Sequence, residues 1–190
     1  MKLVEVNHLR TVVDIGTWNG MGSTRCFLLS LQGEDKKNTE FISLEVNFEK
    51  NQIAKENLKE LLNDNNKKLV WGSVLRPNDI KRLNDVFPEL LINSEFNRWH
   101  TIDVENLQSC PYVIDQIPEE IDLVLFDGGE FTTYYEFLKL LPRCKRFIAM
   151  DDVNVCKCMK MRSLLLSHPD WKEIAFIPQN NGFSMFERVQ

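Results

Sequence analysis

The stretch TVVDIGTWNGMGS, residues 11–23, carries the strongest structural signal in the chain. Its first residues, TVV, predict a buried strand that ends at Asp14, and the apolar residues 26–31 predict a helix. The turn between them contains three glycines, Gly16, Gly20 and Gly22. A strand, a glycine-rich turn and a helix in this order bring bare backbone N–H groups to the edge of an open α/β sheet, where such folds bind nucleotide-like cofactors.

The spacing of these glycines differs from the fingerprint of dinucleotide-binding proteins. The chain has D-x-G-x-x-x-G, and Trp18 stands where G-x-G-x-x-G has its second glycine. Because that glycine lets the backbone approach a pyrophosphate, its absence argues against NAD. The pattern therefore favours a cofactor that has no pyrophosphate.

A second acidic residue follows at the distance expected for a β-α-β unit. In FISLEVN, residues 41–47, a short strand predicted over 41–44 ends at Glu45. An acid at the end of the second strand can bind the two ribose hydroxyls of a cofactor. Either feature alone also occurs as a generic glycine loop or a solvated glutamate, but in this order and at this spacing the two together favour a cofactor site.

At these residues the chain resembles the class I S-adenosylmethionine-dependent methyltransferases. The resemblance implies that the motif VVDIGTWNG surrounds the methionine part of S-adenosylmethionine and that Glu45 holds the ribose. Gly72 and Ser73, in the third strand predicted over 68–74, would contact the adenine. The cofactor-binding residues that the resemblance implies are Asp14, Gly16, Thr17, Trp18, Gly20, Ser23, Glu45, Gly72, Ser73 and Asp127.

The order of the predicted elements extends the resemblance over nearly the whole chain. IDLVLF, residues 121–126, is typical of a central parallel strand, and KEIAFIPQNNGFSMFERV predicts two antiparallel strands around an Asn-Gly turn. We expect an α/β, Rossmann-like, doubly wound and mostly parallel seven-stranded sheet with a C-terminal antiparallel hairpin, in the order 3-2-1-4-5-7-6. Residues 1–190 are predicted to be a single methyltransferase domain. An insertion at about 77–118, with a helix over 79–87, either shapes the substrate site or is a surface elaboration.

Three carboxylates follow two neighbouring strands of the predicted sheet. Asp127 ends the fourth strand, and Asp151 and Asp152 end the fifth, so all three should meet at one edge. A divalent cation would offset their repulsion, and an all-oxygen site suits Mg²⁺, with Ca²⁺ and Mn²⁺ as alternatives. This constellation resembles the metal-dependent O-methyltransferases of catechols and of antibiotic sugars, which implies that the three aspartates bind the metal. The alternative is an aspartate turn that caps the next helix.

The position of the catalytic base departs from both branches of that family. The sugar branch commonly has an acid two residues after the first metal ligand, and the catechol branch has a lysine three residues after it. In this chain those positions hold Gly129 and Glu130. Glu130 is therefore the nearest catalytic candidate, followed by His100 and Asp103 from the insertion. A lone histidine such as His100 is also common as a structural residue.

Composition excludes several classes of function. The 190 residues carry a net charge of −5 and no large basic cluster, so nucleic acid is not an expected partner. No apolar run approaches the roughly 20 residues of a membrane span. The N-terminal MKLVEVNHLR has no signal-peptide core, and five cysteines without regular spacing indicate reduced thiols in a cytoplasmic compartment.

These observations together predict a cytoplasmic S-adenosylmethionine-dependent methyltransferase. It would act on an oxygen of a small molecule, a sugar being one candidate, with the help of a divalent metal. The alternatives are an N-methyltransferase on the same cofactor and a methyltransferase-like protein that binds without catalysis. Because few residues precede the first strand, a homo-oligomer in which a neighbouring subunit helps to close the site is also expected.

Overall fold

The computed structural model describes residues 9–33, 38–90 and 94–189, which build a seven-stranded sheet with helices on both faces. The strands are β1 (Thr11–Ile15), β2 (Glu40–Glu45), β3 (Lys67–Trp71), β4 (Ile121–Phe126), β5 (Cys144–Asp151), β6 (Trp171–Ile177) and β7 (Phe183–Arg188). Their order is β3-β2-β1-β4-β5-β7-β6, which confirms the predicted topology. Strands β1 to β5 are parallel, and β7 pairs antiparallel with both β5 and β6.

The helices alternate with the strands, as a doubly wound sheet requires. Among the described residues they are α1 (Ser23–Ser30), α2 (Phe48–Leu58), α3 (Leu83–Val86), α4 (Ser94–Ser109), α5 (Thr133–Leu140) and α6 (Cys156–Ser167). Helix α2 begins where the side chain of Asn47 accepts a hydrogen bond from the backbone N–H of Lys50 at 3.0 Å. The helix predicted over residues 26–31 is confirmed as α1, which begins three residues earlier, at Ser23.

The sheet is buried on both faces because successive strand residues point to opposite sides. In β1, Val12 belongs to an apolar cluster with Leu28 of α1 and Leu58 of α2. The next residue, Val13, belongs to a second cluster with Phe137 of α5 and Met161 of α6. The faces of the sheet are thus taken up by the core, and its carboxyl edge is left for loops and ligands.

The insertion differs from its prediction. A single helix was expected over 79–87, but this region holds a 3₁₀ turn at Pro77–Asp79 and the short helix α3. The long helix of the insertion is α4, which the predicted elements do not include; most of its residues are polar, and only Leu107 is fully buried. The end of the insertion is tied to the sheet by a parallel bridge between Ser73 and Tyr112.

None of the helices in the described ranges combines the length and the apolarity that crossing a bilayer requires. The first eight residues, in which no signal-peptide core is expected, lie outside those ranges. A cytoplasmic location, the single-domain organisation and a homo-oligomeric state stay predictions.

Candidate functional site

Cavities lie along the carboxyl edge of the parallel strands. The central cavity, of about 330 Å³, lies between the ends of β1, β2 and β4 and the helices α4 and α5. Its volume is in the range of small-ligand sites. It is lined by Ile15, Gly16, Trp18, Leu44, Glu45, Val46, Asn47, Lys50, Ile102, Asp103, Asn106, Asp127, Gly128, Gly129, Thr132 and Glu136.

Two further cavities adjoin this region. The loop cavity, of about 310 Å³, is lined by Gly16, Thr17, Trp18, Asn19, Gly22, Ser23, Asp127, Gly128 and Lys157, so it shares four residues with the central cavity. The aromatic cavity, of about 450 Å³, is lined by Leu90, Phe96, Trp99, Glu130, Asp152, Asn154, Val155, Cys156, Met159 and Asn181. Of the predicted cofactor residues, the structure brings together Gly16, Thr17, Trp18, Ser23, Glu45 and Asp127 at the central and loop cavities.

The loop after β1 is held in an unusual backbone conformation. Gly16 has a φ of 104°, and the backbone N–H groups of Gly16 and Thr17 both donate to the carbonyl of Leu44 at 3.0 Å. Trp18 has a φ of 50°, a left-handed value that bulky residues rarely adopt. Its exposed ring lies under the ammonium of Lys50, 4.0 Å from the ring centroid. Strain of this kind at a cavity wall is typical of ligand sites.

Glu45 lies at the end of β2 and faces the central cavity. Its Oε2 accepts the backbone N–H of Trp18 at 2.7 Å, and its Oε1 accepts that of Asn47 at 2.9 Å. Burial raises the pKa of Glu45 above its ordinary value, while these two N–H groups oppose the shift. Since each carboxylate oxygen has two acceptor positions, Glu45 can bind ribose hydroxyls and hold the loop at the same time.

Asp14 does not reach the cavities. It is completely buried, and its Oδ2 accepts hydrogen bonds from the hydroxyls of Thr24 at 2.6 Å and Ser43 at 2.8 Å. Burial raises its pKa to about 7. The side chain joins β1, β2 and α1 beneath the loop and supports the site from below, and its contact with a cofactor stays a prediction.

Three other predicted cofactor residues also lie behind the cavity walls. Gly20 packs on α2, where an added Cβ would lie 2.6 Å from the side chain of Leu58. Gly72 donates its backbone N–H to the carbonyl of Glu45 at 2.9 Å, and Ser73 is buried beside the bridge to Tyr112. None of these three residues lines the described cavities.

Sequence reasoning missed a buried acid at the back of the central cavity. Glu136 is 2% exposed, and its Oε2 and the Oγ1 of Thr132 have no hydrogen-bond partner within the described residues. Burial raises the pKa of Glu136 to about 8, and nearby carboxylates, Asp103 first, add to the shift. A signal was present, because Thr133, Glu136, Phe137 and Leu140 follow the 3-4-7 spacing of one buried helix face.

Asp103, one of the candidate bases, lines the same cavity from α4. Its Oδ2 accepts the backbone N–H of Phe131 at 2.8 Å, which ties the insertion to the loop after β4. Burial raises its pKa to about 6, and the neighbouring charge of Glu130 adds to the shift. Asp103 thus faces the central cavity.

The predicted metal ligands are arranged around a lysine. Nζ of Lys157 lies 2.7 Å from Oδ1 of Asp127 and 2.7 Å from Oδ2 of Asp152, while Oδ1 of Asp151 accepts the backbone N–H of Asp152 at 3.0 Å. In the described parts of the chain, no group of three histidine, cysteine or acidic side chains is placed to hold a metal ion. The residues present therefore do not fit the expected Mg²⁺, because an ammonium already lies between two of the three carboxylates.

Lys157 is a further residue that sequence reasoning missed. It lies in the first turn of α6 with its side chain 9% exposed. Burial acts to lower its pKa, but the charges of Asp127 and Asp152 outweigh burial and raise it above the ordinary value. The signal was a lysine between two cysteines in the first turn of a helix, where a positive charge opposes the helix dipole.

The two catalytic candidates lie in different places. Glu130 lines the aromatic cavity, and its Oε1 accepts the S–H of Cys156 at 2.8 Å. His100 instead lines a small crevice beside Phe131, and its Nε2 lies 3.2 Å from the carbonyl of Lys81. The structure therefore places Glu130 and His100 at different cavities.

Comparison with known proteins finds solved structures of similar fold, whereas no protein-family model and no curated protein sequence matches the chain. The O-methyltransferase from Bacillus cereus in complex with S-adenosylhomocysteine (SAH) is 16% identical with a TM-score of 0.60, over 98% of this chain and 77% of that one. The SAH-bound methyltransferase of Podospora anserina is 13% identical with a TM-score of 0.61, over 98% and 75%.

A third solved structure of similar fold is the O-methyltransferase TomG from Streptomyces achromogenes, in complex with S-adenosylmethionine (SAM). It is 13% identical to this chain with a TM-score of 0.60, over 99% of this chain and 77% of that one. At identities this low the likeness establishes the fold and not the activity. The chain has the Rossmann-like fold of these methyltransferases, as the resemblance in its motifs predicts.

Proposed function

We propose that this protein is a SAM-dependent methyltransferase that acts on an oxygen of a small molecule. The fold supports the proposal, because it is shared with O-methyltransferases that are complexed with SAH and SAM. The observation that carries it is that Gly16 and Trp18 of the glycine motif line the central cavity together with Glu45, the acid at the end of the second strand. A motif and a cavity that coincide favour a ligand site over a structural loop.

The residues at these cavities fit SAM. The buried, unpartnered oxygens of Glu136 and Thr132 suit a ligand with hydrogen-bonding groups, such as an adenine, at the back of the central cavity. Glu45 would accept the ribose hydroxyls. The turn from Gly16 to Ser23, beside Lys157, would hold the methionine part in the loop cavity.

The chemistry is a direct displacement, for which SAM supplies a methyl group on a sulfonium. The protein has to align the acceptor oxygen with that methyl, remove the proton of the acceptor and exclude water. Glu130 is the proposed base because its carboxylate lines the aromatic cavity, where the acceptor would lie. Asp103 faces the central cavity and is placed less well for that role.

The aromatic cavity favours an acceptor with a ring. Phe96, Trp99 and Met159 provide apolar walls, and the side chains of Asn154 and Asn181 add polar groups. Such a lining suits a phenol, or a sugar whose apolar face stacks on an aromatic side chain. We therefore propose a hydroxylated ring as the acceptor.

N-methylation is a second candidate, favoured by one observation. The carboxylates of Glu130 and Asp152 both line the aromatic cavity, and a negatively charged wall beside aromatic rings also suits a cationic amine. An amine has to lose its proton before it attacks, so Glu130 would act as the base in this case too.

Isothermal titration with SAM and SAH, followed by transfer from methyl-labelled SAM to a panel of phenols, sugars and amines, tests the proposal. Saturable binding of SAM and label on a hydroxyl are the expected results. Label on an amine alone would establish the second candidate, and binding without transfer would support a non-catalytic role. A folded protein that does not bind SAM, or that is stabilised more by NAD than by SAM, would contradict the proposal.

A further inference from the structure

We propose that Lys157 is the resident cation of this site: its ammonium takes the place of a divalent metal between Asp127 and Asp152, and the protein works without a metal. The part of the inference that concerns activity rests on the proposed function. The part that concerns metal binding does not, and it can be tested without SAM or an acceptor.

The geometry of the ion pairs carries the inference. One nitrogen lies 2.7 Å from an oxygen of each of two carboxylates that come from different strand ends. The side chain of Lys157 is 9% exposed, against 27% for Asp127 and 24% for Asp152, so the pairs are shielded from solvent. Bridging two carboxylates from neighbouring strands is the arrangement in which a divalent cation would be expected.

The position of Asp152 is built into the fold. Its φ of 59° is left-handed, and the residues after it are held by the C-terminal hairpin. The backbone N–H of Val153 donates to the carbonyl of Gly182 at 3.1 Å, and that of Asn154 donates to the carbonyl of Asn181 at 2.8 Å. Because the loop is anchored on this side, the carboxylate of Asp152 is presented to α6 in a fixed place.

A metal and this lysine exclude each other for electrostatic reasons. A cation bound to both Asp127 and Asp152 would lie within a few ångströms of the ammonium and repel it. Moving the ammonium away would leave a buried charge without its partners, which is unfavourable. Asp151 does not complete a metal site with these two, because within the described residues the three aspartates are not placed as a group that could hold a metal ion.

The location of the ammonium also suits the chemistry. Lys157 lines the loop cavity, and its partner Asp152 lines the aromatic cavity. The ammonium lies between Asp127 and Asp152, so it offsets part of their negative charge where the two cavities approach each other. In this way Lys157 would balance the charge of the two carboxylates, as a bound metal would, but it could not chelate an acceptor.

The inference is tested by titrating the chelator-treated protein with Mn²⁺ while electron paramagnetic resonance measures the concentration of the free ion. Wild type should bind no stoichiometric Mn²⁺ at millimolar concentration. Lys157→Ala should bind one equivalent, at least about tenfold more tightly than wild type, because the two carboxylates then lack a cation. Lys157→Arg, which keeps the charge, should behave like wild type, and Asp127→Asn added to Lys157→Ala should abolish the new site.

The following results would contradict the inference. Stoichiometric Mn²⁺ binding by wild type that is lost in Asp127→Asn would overturn the inference, and so would methyl transfer that stops in EDTA and returns with Mg²⁺. If Lys157→Ala folds but binds no Mn²⁺, the two carboxylates are not a cation site. Lys157 then forms only ordinary ion pairs, and the inference is contradicted. Lys157→Met replaces Lys157→Ala if the latter does not fold, and the wild-type titration needs no variant.

Discussion

Gly16 and Asp127 lie so close at the ends of neighbouring strands that a side chain on Gly16 would collide with the backbone of Asp127. A Cβ at Gly16 would lie 2.1 Å from the carbonyl oxygen of Asp127. The backbone N–H of Asp127 in turn donates to the carbonyl of Ile15 at 2.8 Å. The first glycine of the motif is thus required by the loop after β4, and both residues line the central and loop cavities.

Gly16→Ala should destabilise the protein by about 2–4 kcal/mol, because the new side chain meets backbone and the φ of 104° is strained for alanine. Affinity for SAM should fall as well, since the loop and Asp127 must separate. Chemical denaturation and calorimetric titration measure the two effects. Gly22→Ala is the control, because a Cβ there meets no atom within 4 Å and should cost much less. Equal losses in both variants would contradict the contact.

Glu45→Ala should weaken binding of adenosine by about 1–3 kcal/mol, because a charged acceptor for the ribose hydroxyls is lost. Glu45 also accepts the backbone N–H groups of Trp18 and Asn47, so part of any loss could come from a displaced loop. Titration with 2′,3′-dideoxyadenosine separates the two causes. Affinity for this ligand should change little in the variant, and a loss as large as that for adenosine would remove the ribose assignment.

Stability should fall as the pH rises from about 5 to about 8. Burial raises the pKa of Glu136 from an ordinary value of 4.5 to about 8 and that of Asp14 from 3.8 to about 7, so the folded state holds protons that the unfolded state releases in this window. Glu136→Gln should raise the free energy of unfolding at pH 8 by a few kcal/mol and leave it nearly unchanged at pH 5. A difference of one unit between the pKa values in the folded and unfolded states corresponds to about 1.4 kcal/mol in the free energy of unfolding.

Thermal and chemical denaturation of the ligand-free protein between pH 5 and pH 8.5 checks this expectation. Glu105→Gln is the matched control, because Glu105 is an exposed residue of α4 and the same chemical change there should leave the pH dependence as in wild type. A wild-type curve that rises over this range, or a Glu136→Gln curve parallel to it, would show that Glu136 is not a buried acid.

Glu130→Gln should lower the turnover of methyl transfer by about a hundredfold or more while SAM affinity is retained, because the proposed base is lost and the cofactor cavities are untouched. Steady-state kinetics with the acceptor found in the panel measure the change. His100→Gln is the control, since His100 lies outside the three cavities and should leave turnover unchanged. A larger loss in His100→Gln than in Glu130→Gln would reverse the assignment of the base.

Much of the fold follows from short stretches of the sequence. The apolar strands, the glycine turn after β1 and the Asn-Gly turn of the hairpin are local patterns, and their order along the chain specifies the topology of the sheet. Glu45 could be placed at the central cavity for the same reason, because the carboxyl ends of parallel strands share one edge. The insertion could not be predicted in this way, since α4 contributes little to the core and Leu107 is its only fully buried residue.

The sequence by itself determined the sheet, the loop after β1 and the meeting of Asp127 with Asp152 at one edge. Only the tertiary structure decided what lies between those carboxylates. Lys157 is 30 residues from Asp127, and its position depends on how α6 packs on the sheet. Local patterns carry no information on that packing, because the energy of an ion pair depends on distance and burial, and both are set by contacts between elements remote in sequence.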